Sequence, residues 1–171
     1  MTGAPFRVEP LCDAHDRASF DCGEEALNRY FQTQATQDIR RRVANCFVAV
    51  GAASGQIAAY YTLSAASIPM TDLPPDESKR LPRYPAIPAV RIGRLAVDRR
   101  FQGRGLGAAM LADATARVIQ SDIAAVVLIV DAKNDAAIAF YQRHEFRLIT
   151  GSPRTLFLPI ATARKFFPGK S

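Results

Sequence analysis

The chain has 171 residues, 49% of them hydrophobic, so it is long enough for one well-cored domain and too short for two ordinary ones. Its longest apolar run, residues 123–130, is far shorter than the ~20 residues of a membrane helix, and the first ten residues contain no apolar signal core. We therefore expect a single cytoplasmic domain over residues 1–171. The net charge of +6, carried mostly by arginine, suits an anionic partner but is equally compatible with solubility alone.

The cysteines do not indicate a disulfide or metal framework. Cys12, Cys22 and Cys46 are an odd number without a CxxC pair, and the chain has only two histidines. This pattern predicts buried, reduced thiols and no metal site.

The first half of the chain predicts a strand, a helix and a β-hairpin. A short strand at "PFRVEPL" precedes a helix that begins near Asp21, which serves as N-cap with Glu24 three positions later. The stretches "NCFVAV" and "IAAYYTLSAA" flank the turn "GAASGQ" as a hairpin. Residues 67–90 contain six of the eleven prolines and predict a loop with at most a short helical turn. The apolar face of the helix is formed by Ala26, Leu27, Tyr30 and Phe31.

The second half alternates strands and helices, which predicts an α/β fold with a mixed sheet. The tail at residues 160–171 is expected to be loose. The predicted elements are the strand "AVRIGRLAV", the helix "GLGAAMLADATARVIQ", the strand "AAVVLIVDA", the helix "DAAIAFYQRH", and the strands "FRLITG" and "TLFLPI".

Three glycines stand where a strand passes into a helix. Gly103, Gly105 and Gly107 let successive backbone N–H groups face one concavity, which favours phosphate binding at the helix N-terminus. A nucleoside-triphosphate loop is excluded because Ala108 and Ala109 follow where Lys and Ser/Thr would be required. A dinucleotide fingerprint, GxGxxA, matches the residue spacing but is disfavoured. It should begin almost at the strand end, near the start of a parallel βαβαβ half, whereas here "DRRFQ" separates the glycines from the strand and a helix and a hairpin precede that strand.

The stretch "QGRGLG" at residues 102–107 resembles the coenzyme A motif of the Gcn5-related N-acetyltransferase (GNAT) superfamily, Q/R-x-x-G-x-G/A. The resemblance implies a mixed central sheet with a splayed parallel pair of strands, flanked by helices, and acetyl-CoA as cofactor. It implies that the strand backbone contacts the pantetheine arm and that the loop amides hold the pyrophosphate. The residues so implied are Leu95, Ala96 and Val97 on the strand, and Gln102, Gly103, Arg104, Gly105, Leu106, Gly107 and Ala108 in and after the loop.

A second stretch, "DAKNDAAIAFYQRHEF", resembles the other half-site of the same superfamily. By this resemblance Asn134 contacts the cofactor and Tyr141 faces the thioester sulfur, where it can protonate the departing thiolate. A tyrosine beside Phe140 on a helix is otherwise an ordinary core aromatic. The chain departs from the usual FYxxxGF ending, since Glu145 replaces a glycine that ends the helix in a left-handed conformation. We therefore expect about 1 kcal/mol of backbone strain or a re-formed turn.

Most of the chain, including "FDCGEEALNRYF" and "RIGRLAVDRRFQGRGLGAAMLADA", is similar to acetyltransferase toxins of bacterial type II toxin–antitoxin systems. This similarity implies acetylation of the α-amino group of aminoacyl-tRNA, arrest of translation, a ribbon-helix-helix antitoxin and a homodimer. Two other functions stay open: an acetyltransferase for a small amine or protein amine, and a non-catalytic acyl-CoA-binding module.

The arginines are candidates for contacts with tRNA phosphates. Arg40, Arg41 and Arg42 close the first helix, where solvated cations also complement the helix dipole. Arg91 and Arg94 are expected on one face of the cofactor strand. Neither His15 nor His144 belongs to a recognisable catalytic dyad, so no general base is assigned.

Overall fold

The computed structural model describes residues 5–166 of the chain. Within that range the backbone forms seven β-strands and six α-helices. In chain order they are β1 (Phe6–Pro10), α1 (Glu25–Arg29), α2 (Ala35–Arg40), β2 (Asn45–Gly51), β3 (Ile57–Pro69), α3 (Pro75–Ser78), β4 (Ala86–Val97), α4 (Leu106–Gln120), β5 (Val127–Asp131), α5 (Asp135–Arg143), β6 (Arg147–Leu148), β7 (Thr155–Pro159) and α6 (Ile160–Phe166).

The strands form one mixed sheet in the order β1-β2-β3-β4-β5-β7-β6. β4 and β5 are parallel, whereas β2 pairs antiparallel with β1 and β3, and β7 with β5 and β6. The parallel register joins Ala89–Ile92 to Val127–Val130, and β4 continues five residues further, to Val97. The predicted α/β class with a parallel strand pair flanked by helices is therefore confirmed. Among residues 5–166, no helix is both long and apolar enough to cross a bilayer.

Contacts divide the described residues into two compact units, the first comprising residues 5–64 and 93–114. Its core is aromatic: the ring of Phe31 stacks on that of Tyr60 with centroids 4.4 Å apart, and Phe20 meets Tyr60 edge-on at 5.4 Å. Val48 of β2 and Ala96 of β4 belong to the same cluster. The end of β4 is thereby fixed against the first helix of the same unit.

The second unit comprises, among the described residues, 65–92 and 115–166. Val127, Leu128, Ile129 and Val130 of β5 are all at most 2% exposed, so both faces of this strand are covered. Phe157 of β7 packs in the same unit, in a cluster with Val127 and Ile129. Burial on both faces explains why β5 is a continuous apolar run in the sequence.

The start of the first helix was predicted wrongly. α1 begins at Glu25, and Gly23 has φ +93°, outside the helical region. Asp21 is therefore not an N-cap: its Oδ1 accepts hydrogen bonds from the N–H of Gly23 and from Nδ2 of Asn28, both at 2.9 Å. A π-helical turn at Tyr30–Gln34 separates α1 from α2.

The apolar face of this helix also differs from the prediction at one position. Tyr30 and Phe31 are buried and Leu27 packs against them, but Ala26 is exposed while the polar Asn28 is 7% exposed. Asn28 can be buried because both polar atoms of its side chain are hydrogen-bonded. Its Oδ1 accepts from the N–H of Cys22 at 2.8 Å, and its Nδ2 donates to Asp21.

The predicted loop at residues 67–90 is shorter than expected. β3 extends to Pro69 and β4 begins at Ala86. The strands tolerate these prolines because Pro69 is the last residue of β3 and Pro88 precedes the register of β4 with β5, which begins at Ala89. The tail was also predicted wrongly in part: Ile160–Phe166 is helical, with Ala163 fully buried. The rest of that predicted tail, 167–171, lies outside the described residues.

The cysteines carry free thiols, but only one is buried. Cys46 on β2 is 3% exposed, and burial raises the pKa of its thiol to about 12. Cys12 is exposed and Cys22 partly exposed. The expectation of buried thiols is therefore right for Cys46 alone.

Candidate active site

The loop after β4 is fixed by a buried carboxylate. Asp98 is 1% exposed and caps the 3-10 turn at Arg99–Phe101, accepting from the N–H and the Nε of Arg100, both at 2.9 Å. Its Oδ2 also accepts from the N–H of Asp21 at 3.0 Å. Burial alone would raise the pKa of Asp98, but these hydrogen bonds and the Arg100 charge hold it below its ordinary value. Asp98 is therefore ionised at neutral pH and ties the loop to the segment that precedes α1.

Gln102 ties the same loop down at a second point. Its Nε2 donates to the carbonyl of Val97 at 2.9 Å and to the carbonyl of Cys22 at 3.1 Å. The side chain thus holds the loop in place. Sequence reasoning missed these roles of Asp98 and Gln102, although an aspartate directly after a strand and before a turn is a recognisable capping signal.

The glycine loop has the backbone geometry that a phosphate cradle requires. Gly103 and Gly105 both have φ +80°, and beyond the adjacent residues no atom lies within 4 Å of the position that a Cβ would take at either glycine. Residues 102–105 are exposed, while Leu106 is buried and anchors the start of α4. The loop is therefore open to solvent on the side where side chains are missing.

Helix α4 adds donors to this cradle. The N–H of Ala109 donates to the carbonyl of Gly105 at 3.1 Å, closing the first turn. The N–H groups of Leu106, Gly107 and Ala108 precede that bond, and the first amides of a helix have no intrahelical acceptor. Such amides, together with the positive end of the helix dipole, bind phosphate oxygens. The residues present fit the pyrophosphate of acetyl-CoA.

The end of β4 supplies the predicted strand residues. Ala96 is 5% exposed and belongs to the aromatic core of the first unit, while Leu95 and Val97 are partly exposed. The carbonyl of Val97 is engaged by Gln102. Contact of these residues with a pantetheine arm stays a prediction.

In the second unit, Asn134 is the N-cap of α5. It has extended backbone angles, φ −161° and ψ −179°, and its Oδ1 accepts from the N–H of Ala137 at 2.9 Å. The side-chain oxygen of Asn134 therefore caps the helix. Its amide NH₂ is the group with which an asparagine so placed can donate to a ligand.

Tyr141, two turns along α5, is 6% exposed. Its ring meets Phe140 at 5.1 Å and Phe146 at 5.6 Å between centroids. Burial raises the pKa of its hydroxyl to about 12, so the group keeps its proton throughout the physiological range. A proton-donating role and a core-aromatic role both accord with this burial, and the catalytic role stays a prediction.

Glu145 adopts the conformation that glycine would. Its φ is +73°, the N–H of Glu145 donates to the carbonyl of Gln142 at 3.2 Å, and the N–H of Phe146 donates to the carbonyl of Tyr141 at 3.1 Å. This pair of bonds is the Schellman motif. The backbone therefore keeps the left-handed turn that glycine usually forms, with the strain expected for a glutamate there. The alternative outcome, a re-formed turn, is not observed.

The two arginines of β4 do not share a face. Residues three apart in a strand point to opposite sides, so the expectation of a single arginine face is wrong. Arg91 forms an ion pair with Asp131, and the guanidinium of Arg94 lies 3.5 Å from the ring centroid of Tyr30. By contrast, Arg40, Arg41 and Arg42 are exposed at the end of α2. Binding of tRNA by any of these arginines stays a prediction.

The chain is similar to known acetyltransferases over nearly its whole length. The model of the acetyltransferase (GNAT) family matches residues 9–146. A "tRNA-acetylating toxin" of Mycobacterium tuberculosis is 34% identical over 163 residues, covering 94% of each chain.

Solved structures of related toxins have the same fold as this chain. AtaT complexed with acetyl-methionyl-tRNAfMet superposes with a TM-score of 0.87 at 32% identity, covering 95% of this chain and 99% of the other. A tyrosine-to-phenylalanine mutant of AtaT, bound to the C-terminus of the antitoxin AtaR and acetyl-CoA, superposes with a TM-score of 0.81 at 28% identity over 97% of this chain and all of the other. With this sheet order and glycine loop, the chain belongs to the GNAT acetyltransferase family.

Proposed function

We propose that this protein is an acetyl-CoA-dependent N-acetyltransferase toxin that acetylates the α-amino group of aminoacyl-tRNA and thereby blocks translation. The observation that carries the proposal is the loop at residues 102–108, where two left-handed glycines open onto the start of α4 in a GNAT chain. One relative is named a tRNA-acetylating toxin and another, AtaT, is complexed with acetyl-methionyl-tRNAfMet, and both match nearly the whole of this chain, which supports the choice of acceptor.

Acetyl-CoA supplies the activated acetyl group. Its pyrophosphate would be held by the amides from Gly103 to Ala108, with Arg104 adding positive charge, and the Leu95–Val97 backbone would meet the pantetheine arm. Gln102 contributes by keeping the loop closed against Val97 and Cys22, and Asn134 would donate to the cofactor from the start of α5.

Transfer requires a neutral amine, a donor to the developing oxyanion and an acid for the sulfur. The amine nitrogen would attack the thioester carbon, the C–S bond would break, and the departing thiolate would take the hydroxyl proton of Tyr141. Solvent, which receives the proton released by the amine, would then reprotonate Tyr141. A backbone N–H near Leu95–Val97 would donate to the oxyanion. The α-amine of an aminoacyl ester is less basic than a lysine amine, so much of it is already neutral, and water can accept its proton without a dedicated base.

The proposal extends to partners. Arg40, Arg41 and Arg42, with Arg91 and Arg94, would contact tRNA phosphates, and the +6 net charge of the chain favours such a polyanion. Regulation would come from an antitoxin of the ribbon-helix-helix type. The toxin would act as a homodimer in the cytoplasm, where charged tRNA is found.

Incubating the protein with total charged tRNA and labelled acetyl-CoA tests this directly. We expect label on the aminoacyl group of tRNA, recovered as N-acetyl amino acid after ester hydrolysis. Label that appears only on small amines or on protein would replace the tRNA assignment with the small-amine or protein-amine function. Acetyl-CoA binding without transfer to any acceptor would leave a non-catalytic acyl-CoA-binding module.

A further inference from the structure

The segment between β3 and β4, residues 70–85, lines a solvent-open pocket of about 510 Å³ within the second unit. Its lining is Met70, Ser78, Lys79, Pro82, Arg83, Tyr84 and Pro85. The size is in the range of sites for small organic ligands, and one nucleotide fits such a volume. None of the site residues discussed above lines it.

The segment is held in a defined shape. The N–H of Met70 donates to the carbonyl of Pro85 at 3.0 Å, which closes the segment at its base. The N–H of Thr150 donates to the carbonyl of Asp72 at 2.8 Å, and Arg147 of β6 forms ion pairs with Asp76 and Glu77. These contacts within one unit make the pocket a pre-formed feature.

The acidic side chains nearest in sequence do not pair with the cations of the pocket. Asp76 and Glu77 form their ion pairs with Arg147 rather than with Lys79 or Arg83. Lys79 and Arg83 are exposed, and within residues 5–166 neither forms an ion pair with a carboxylate. The pocket therefore presents two cations to an incoming ligand.

Tyr84 gives the pocket a flat aromatic surface. The residue is 62% exposed and lies between the prolines at 82 and 85, with its N–H donating to the carbonyl of Pro82 at 3.0 Å. An exposed aromatic ring beside cations is the arrangement that binds unpaired nucleotides, since the base stacks on the ring while phosphates meet the charges. An acidic peptide would use the cations but would leave the ring without a matching surface.

We propose that this pocket binds an unpaired nucleotide at the 3′ end of the tRNA substrate, with a base stacked on Tyr84 and phosphates at Lys79 and Arg83. The proposal rests on the proposed function and adds to it a site that recognises the single-stranded part of the substrate. Arg40–Arg42 would then be left to contact paired regions.

Fluorescence anisotropy tests the site with three labelled probes: tRNA, a short single-stranded RNA ending in CCA, and a blunt RNA duplex. We expect Tyr84→Ala to weaken binding of tRNA and of the single-stranded probe by about 5- to 150-fold. Binding of the duplex should change little. Tyr84→Phe keeps the ring and should restore most of the affinity. Phe166→Ala, which removes a similarly exposed aromatic side chain (56%) from the same unit, is the matched control and should have no effect.

The charges are tested by salt dependence. Replacing both Lys79 and Arg83 with alanine should make the log–log salt slope for the single-stranded probe shallower by about 1.4, or about 0.7 for each phosphate that is no longer neutralised. An unchanged slope would contradict the assignment of phosphates to these two cations.

Equal loss for duplex and single strand in Tyr84→Ala, or no loss for either, overturns the pocket proposal. So does binding of a polyglutamate peptide, but not of the single-stranded RNA, at this site. If the wild type acetylates charged tRNA and Tyr84→Ala does so with unchanged KM, only the pocket proposal fails. If the wild type does not acetylate charged tRNA at all, the proposed function itself fails.

Discussion

The backbone N–H of Phe146 donates to the carbonyl of Tyr141, so the helix that carries the proposed acid ends in a turn around Glu145 at φ +73°. We predict that Glu145→Gly stabilises the protein by about 0.5–1 kcal/mol, because glycine adopts this conformation without a Cβ clash. Urea unfolding of both proteins measures the difference.

Arg42 offers a matched control for that substitution. It has φ +61°, its N–H donates to the carbonyl of Ile39, and the N–H of Val43 donates to the carbonyl of Asp38, so α2 ends in the same motif. Arg42→Gly should stabilise by a similar amount. If both variants are less stable than the wild type, the entropy that glycine adds to the unfolded chain outweighs the relief of strain.

Gly107→Glu should abolish binding of acetyl-CoA. Gly107 lies in the first turn of α4, where the new carboxylate would lie next to the bound pyrophosphate. The repulsion between these like charges would outweigh the attraction of the loop amides for the phosphate oxygens. Isothermal titration calorimetry measures the affinity. Ala109→Glu adds the same charge at an exposed position of the same turn and should weaken binding far less. Unchanged affinity in Gly107→Glu would remove the pyrophosphate from this loop.

Tyr141→Phe should keep the fold and the affinity for acetyl-CoA and lower the rate of acetyl transfer by about 10²- to 10⁴-fold. The substitution removes one oxygen and preserves the ring contacts with Phe140 and Phe146. Single-turnover acetylation of charged tRNA, with circular dichroism as a check on folding, makes the measurement.

Tyr60→Phe is the control for removal of a buried tyrosine hydroxyl. Tyr60 is 0% exposed and donates to the carbonyl of Leu27 at 2.8 Å in the other unit. We expect this variant to be less stable but to transfer acetyl at a near-normal rate. A loss of less than about threefold in Tyr141→Phe would show that Tyr141 is not the acid.

The exposed arginines of α2 should carry more of the tRNA affinity than those of β4. Replacing Arg40, Arg41 and Arg42 with alanine should make the log–log salt slope shallower by up to about 0.9 for each phosphate that these side chains neutralise. Arg91→Ala with Arg94→Ala should change it less, because Arg91 is paired with Asp131 and Arg94 covers the ring of Tyr30. Filter binding over a range of salt concentrations compares the two variants. The reverse order would move the tRNA interface to β4.

The sequence predicted the features of the fold that are set by residues close together in the chain. The glycine loop and the order of strands and helices from β4 to β7 were visible in the sequence, because periodicity and glycine spacing act over a few positions. The hydrogen bonds that hold the loop were not visible. Asp98 meets Asp21 across 77 positions of sequence, and Gln102 meets Cys22 across 80.

The errors have the same origin. Asp21 has the sequence signature of an N-cap, but a tertiary contact with Asp98 and the left-handed Gly23 place it before the helix. Prolines indicated a loop at positions 69 and 88, but Pro69 ends β3 and Pro88 precedes the register of β4 with β5, so both lie where a missing N–H is tolerated. Arg91 and Arg94 alternate with apolar residues but are three positions apart, so the two-residue period of a strand puts them on opposite faces.

The free thiol of Cys46 gives this protein an internal reporter of strand separation. β2 pairs with β1 on one side and β3 on the other, and Cys46 lies opposite Thr62 while its carbonyl accepts from the N–H of Leu11. Since thiolate is the reactive form, an alkylating reagent labels the exposed Cys12 and the partly exposed Cys22 before the buried Cys46, whose labelling requires local opening of the structure around it. The alkylation rate of Cys46 therefore measures how often the aromatic core opens, with no label introduced by mutation.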